Sequence, residues 1–186
     1  MISSPGKKFS RELASENGYD LEAIEFLECL TKDYPEFRFV FGRKFTFRPS
    51  KTIAIGPLEP HWQLLVLHEL SHALLKHKSF KMDAERLKME SAAWEQARKL
   101  ASRYNIEVDE SFVQEELDTY RDWLHKKSRC PVCGLTRFQT PDSKYYCPRC
   151  ENLTKAAFLA GPRREIRPPL APAMRANAGL AAKPPV

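Results

Sequence analysis

No stretch of the 186-residue sequence approaches the roughly 18 uninterrupted apolar residues that a membrane-spanning helix needs, so no bilayer span is expected. The segment from Met1 to Lys8 also lacks the apolar core of an export signal, which points to a cytoplasmic, reducing location. Aliphatic side chains are scarce between residues 130 and 150, and so short a segment cannot hold itself together by hydrophobic burial. Periodicity is missing from Gly161 to Val186, where six prolines, six alanines and five basic residues fill the chain. Residues 156–186 are therefore read as an unfolded, basic Pro/Ala-rich tail.

The residues present are those of a soluble globular chain, 42% apolar and 29% charged. The net charge of +6 hides an asymmetry. Residues 126–186 hold 12 Lys/Arg against 3 Asp/Glu, whereas residues 1–125 hold 18 against 21. A positive field confined to the carboxyl end suits DNA or a DNA-bound protein as partner, and it also serves solubility.

Pattern divides the chain into an α+β unit at 1–127, a cysteine module at 128–155 and the tail. Residues 10 to 33 read as helix, with Tyr19-Asp20 offering an Asp cap and Ala23, Phe26, Leu27 and Leu30 forming an apolar stripe; Cys29 is expected to be buried beside it. The aromatic runs Phe37–Phe41 and Lys44–Phe47 flank Gly42 and read as a hairpin, with Thr52–Ile55 as a third strand. If that third strand lies at a sheet edge, its free backbone groups suit an extended peptide. Helices are expected from Pro60 to Lys76, from Asp83, acting as cap, to Tyr104, and from Glu110 to Lys126.

Within the first of these lies His68-Glu69-Leu70-Ser71-His72, an H-E-x-x-H motif. Positions i and i+4 of a helix share one face, so the two imidazoles converge on one zinc ion. Glu69 is rotated to where it takes a proton from a water attacking a carbonyl. The flanks Leu64–Leu67 and Ala73–Leu75 are apolar, and histidines and an acid inside such a helix are costly to desolvate without a purpose. The plain alternative is a buried histidine pair satisfied by carboxylates.

The metzincin version needs glycine and histidine where the chain has Leu75 and Lys78, which removes it. His77 falls one place short and is assigned to the carboxyl end of its helix, where it suits the dipole. The next helix places Glu90 in its apolar stripe with Leu87, Trp94, Ala97 and Ala101, and leaves Glu95 on the wet side. Glu90 is thus a buried carboxylate in need of a cation, either a zinc ion or Arg86 four residues earlier. For the donor that would stabilise a developing oxyanion, Tyr104 and His125 are the available residues.

The runs LHELSHALLKH and ERLKMESAAWEQARKLA resemble the ImmA/IrrE-like family of small zincins over roughly residues 20 to 105. The resemblance implies a zincin-like fold, metal ligation by His68, His72 and Glu90, Glu69 as base, and cleavage of DNA-associated regulatory proteins. Trp94 departs from the pattern, which has asparagine after the small residues of the Glu-bearing helix, and no amino-terminal helix-turn-helix is present. The SprT-like family is the second resemblance, through its pairing of a zincin helix with a cysteine-rich end.

Cys130-Pro-Val-Cys133 and Cys147-Pro-Arg-Cys150 are two C-x-x-C knuckles 13 residues apart. Four thiolates make a closed tetrahedral zinc site whose role is folding, and the module looks like a zinc ribbon. Arg137, Lys144 and Arg149, interleaved with Phe138, Tyr145 and Tyr146, are either a face for single-stranded nucleic acid or a small core with solvated charges. The sequence thus leads to a zinc-dependent endopeptidase holding one catalytic and one structural Zn2+. The alternative is a nucleic-acid- or protein-binding module on an inactive zincin scaffold.

Overall fold

The computed structural model describes residues 9–155, which form a mixed α+β chain with two small three-stranded sheets. The tail assigned to 156–186 lies outside the described residues. Among the described residues no helix is long and apolar enough to cross a membrane.

The helical stretch expected over 10–33 is two helices, α1 (Arg11–Glu16) and α2 (Leu21–Asp33). The break falls at Gly18, whose φ of +82° closes the turn and is strained for any side chain. Asp20 then caps α2 by accepting from the Ala23 N–H at 2.8 Å. Ala23, Ile24, Phe26, Leu27 and Leu30 form its buried stripe. Cys29 faces the other way and is exposed, contrary to the expectation of burial.

The first sheet contains β1 (Arg38–Phe41), β2 (Thr46–Arg48) and β3 (Thr52–Ile55) in the order β1-β3-β2. The expected β1–β2 hairpin is absent. Instead β3 lies between them, parallel to β1 and antiparallel to β2. Burial explains the order: Ile53, Ala54 and Ile55 are buried on both faces of β3, which a strand achieves only inside a sheet. The chain leaving β1 passes over the end of β3 at Gly56, where an added Cβ would lie 2.7 Å from the Phe45 ring. The edge facing the site therefore belongs to β2, and the strand-addition idea attached to Thr52–Ile55 is corrected accordingly.

Helix α3 (Trp62–Leu74) is apolar nearly all round and runs through the core, with Leu64, Leu65, Val66, Leu67 and Leu70 buried. Helix α4 (Asp83–Arg103) packs along it through Ala93, Ala97 and Ala101, small residues one turn apart that permit close approach. Met82, not Asp83, is the N-cap of α4. The Glu85 carboxylate accepts from the Lys81 and Met82 backbone N–H groups at 2.7 and 3.1 Å. Helix α5 (Glu110–Ser128), capped by Asp109, packs against α4.

The second sheet is an antiparallel meander of β4 (Phe138–Gln139), β5 (Lys144–Cys147) and β6 (Asn152–Lys155). It docks on the ends of α4 and α5. The Tyr145 hydroxyl and the Lys127 ammonium both donate to Asp83 Oδ2, at 2.5 and 2.7 Å, and Gln139 accepts from the Asp83 N–H. Arg137 caps α5 by donating to the Lys127 carbonyl at 2.9 Å and stacks over Tyr145. Arg137 and Tyr145 are buried, so they are joints to the helices rather than parts of a binding face. Asp83→Ala leaves Tyr145 and the mostly buried Lys127 without their acceptor and is expected to cost about 2–3 kcal/mol, read by urea denaturation.

Two candidate metal centres

The H-E-x-x-H helix and the following helix bring three donor atoms to one point. His68 Nε2 lies 3.1 Å from His72 Nε2, and Glu90 Oε2 lies 3.2 and 3.4 Å from the two nitrogens. Donors about 2.05 Å from a tetrahedral ion of zinc's size sit about 3.3 Å apart, so the spacing fits one ion held by all three. Glu90 and His68 are buried. Glu90 Oε2 faces both imidazole nitrogens at ion-pair distance without a well-directed hydrogen bond to either, so the three atoms gather about one point. Burial alone would raise the Glu90 pKa, and the two imidazoles beside it reverse that and hold its carboxyl well below the usual range.

Arg86 is not the partner of Glu90. Its guanidinium lies over Phe80, Tyr120 and Trp123, between 5.3 and 5.4 Å from the ring centres.

The surrounding shell fixes the rings. Helix α3 ends in a turn at Lys76, whose φ is +56°, and the His77 N–H returns to the His72 carbonyl at 3.0 Å. That turn puts His77 Nδ1 2.9 Å from His72 Nδ1, leaving His72 Nε2 to face the cluster. His77 is therefore outside the three-donor group but orients a member of it. Trp94 stacks on His68 at 4.2 Å between ring centres, so the residue that departs from the family pattern forms a wall of the site. His68 Nδ1 is buried without a hydrogen-bond partner.

Glu69 stands outside the three-donor group and is half-buried. Its Oε2 accepts from the Phe47 backbone N–H at 2.5 Å, which ties the carboxylate to the outer edge of β2. Neither residue expected as oxyanion donor is at the site. Tyr104 donates to Asp33 Oδ2 at 2.7 Å, against α2, and His125 is exposed near the end of α5.

Tyr120 on α5 is the group that sequence reasoning missed. Its phenol pKa is raised, first by burial and then by the negative charge of Glu90, with Glu69 adding to it. The phenol thus stands beside Glu90 and stays protonated at neutral pH. The signal available in the sequence was spacing, since Val113, Leu117, Tyr120 and Leu124 fall on one face of α5.

The second cluster is formed by Cys130, Cys133, Cys147 and Cys150, whose sulfurs all lie within 4.8 Å of one another. Cys133 and Cys147 are 3.5 Å apart and Cys130 and Cys150 4.0 Å. These values bracket the roughly 3.8 Å between sulfurs 2.3 Å from one tetrahedral ion, and are far beyond a disulfide bond of about 2.05 Å. Backbone N–H groups of Cys133 and Val132 stabilise the Cys130 thiolate and hold its pKa down to about 6. Cys150 is pushed up to about 12, first by its hydrogen bond with Cys133 and then by burial. Gly134, with φ +72°, closes the first knuckle. Both clusters thus have the donor chemistry and spacing of metal sites, the first with three donors and the second closed by four.

Compared with protein-family models, with curated proteins and with solved structures, the chain finds no significant match. Geometry and chemistry alone carry the functional reading.

Proposed function

We propose that the chain is a zinc-dependent endopeptidase of zincin type, akin to the ImmA/IrrE-like group. The convergence of His68, His72 and Glu90 beside Glu69 is the observation that carries this reading. Zinc at such a site polarises a carbonyl and makes water a nucleophile near neutral pH. Holding an ion needs only the three ligands; Glu69 adds a further carboxylate on the same helix, next to His68, besides tying α3 to β2 through the Phe47 N–H.

Each residue then has a task. His68, His72 and Glu90 hold the ion, with Trp94 and His77 fixing the two rings. Glu69 takes a proton from the attacking water and passes it to the leaving amine. Tyr120, protonated and beside Glu90, donates to the carbonyl oxygen as negative charge develops on it. Tyr120→Phe is expected to lower kcat by about 10²-fold with folding and metal content unchanged, measured by steady-state cleavage and elemental analysis. A variant cleaving at the wild-type rate would remove Tyr120 from the mechanism.

The cysteine module is proposed to hold a structural zinc ion and to steer the peptidase toward its target. A second reading makes that module the functional part, binding single-stranded nucleic acid or a DNA-bound protein. It is favoured by Phe138 and Tyr146, paired across β4 and β5 on one face and 67% and 37% exposed, close in sequence to the exposed Arg149.

A further inference from the structure

A groove of about 370 Å³ opens beside the histidine cluster, between the outer side of β2, the turn before β1 and the end of α3. Its lining is predominantly apolar and includes Phe37, Phe47, Pro49 and Leu74. Its charged residues are Lys51, Lys76 and Lys78, all exposed, against the single acid Glu36.

Two residues join this groove to the site. Phe47 lines the groove and gives its backbone N–H to Glu69. His77 lines it and touches His72. β2 is an edge strand, and Phe47 both contacts Glu69 through its backbone and lines the groove, so a chain reaching the site passes directly by the groove. The volume is at the low end of small-ligand sites, about 300–1,000 Å³, which suits one large side chain rather than a packed helix.

We infer that this groove is the specificity subsite of the proposed peptidase, and that it takes a bulky aliphatic or aromatic side chain flanked by acidic residues. The inference rests on the peptidase reading for its connection to cleavage, and on the groove's own chemistry for its ligand. The apolar floor selects the large side chain, because burying more of its surface favours binding. The lysine rim selects the acidic neighbours and rejects basic ones. The chain's own carboxyl-terminal tail is a poor occupant, because residues 161–186 hold five basic residues and one acid and would meet the lysines with like charge.

The test uses the full chain carrying Glu69→Gln, so that binding is read without turnover. Fluorescence anisotropy is measured with labelled hexapeptides holding a central Leu or Phe flanked by Glu, by Lys, or by Ser. The Glu-flanked peptides are expected to bind at least tenfold more tightly than the Lys-flanked ones, and to weaken as salt is raised. Adding Lys51→Glu and Lys78→Glu is expected to reverse that order, while replacing the central residue by Gly abolishes binding in either background. Equal binding of Glu- and Lys-flanked peptides, or an order unchanged by the two lysine substitutions, would overturn the inference. The same peptides given to the wild type separate the two claims. Binding with the expected preference but no cleavage sinks the peptidase and leaves the groove as a peptide site. Cleavage with no preference sinks the groove and leaves the peptidase.

Discussion

Glu69→Gln should abolish peptide cleavage, by about 10³- to 10⁴-fold in kcat, while the purified protein keeps its full metal content. The substitution is nearly isosteric, and the Gln carbonyl still accepts from the Phe47 N–H, so the link between α3 and β2 survives. What is lost is a group able to accept a proton from water. The three ligands of the cluster are untouched, which separates a chemical defect from a structural one. Cleavage of a denatured-protein substrate, followed by mass spectrometry beside elemental analysis, reads both quantities at once. If wild type cleaves nothing, or if the variant cleaves as well as wild type, the scaffold reading takes the place of the peptidase reading.

Cys147→Ser should remove one metal ion per chain and unfold the second sheet. Cys147 is fully buried on β5, and residues 130–150 have little apolar core besides Tyr145, so an ion held by the four cysteines would make metal binding and folding of this segment one equilibrium. Hydrogen exchange across β4 to β6 should speed up by about 10³-fold or more. The effect should reach further than the module itself. Tyr145 and Gln139 hold Asp83 at the start of α4, and Arg137 caps α5 through the Lys127 carbonyl. Amides in the first turn of α4 and the last turn of α5 should therefore lose protection too, while those around Leu67 to Leu70 in the core keep theirs. Unchanged exchange in β4 to β6 would mean that the four cysteines are not what holds the module.

Local spacing made the central site legible in the sequence. The interval between His68 and His72 places both rings on one helical face, and Glu90 showed itself as a charge within an apolar stripe. Thr52–Ile55 was found to the residue because a short β-branched run bounded by turn residues has few alternatives. Pairing was a different matter. The alternation in Phe37–Phe41 and Lys44–Phe47 identifies strands but says nothing about neighbours, and the burial of β3 on both faces put it between them. Gly18, with its positive φ, separates α1 from α2, whose start Asp20 caps.

Tyr120 was hidden for a physical reason as well. It lies 30 residues from Glu90 in a charged helix with no motif, and only the packing of α5 on α4 brings it to that carboxylate. Tyr145 and Tyr146 illustrate the value of strand periodicity, since adjacent residues point to opposite faces and only one of them can be on a binding surface. Trp94 departed from the family pattern in the sequence, and in the fold its ring is the surface on which His68 rests.

Two separate ions, one in each cluster, are what the proposed function requires. Native mass spectrometry of the full chain after zinc loading should count two zinc ions for the wild type, one for Cys147→Ser, one for a His68→Ala, His72→Ala double variant, and none when the three substitutions are combined. A wild type that holds one ion, and keeps it when both histidines are removed, would contradict the account.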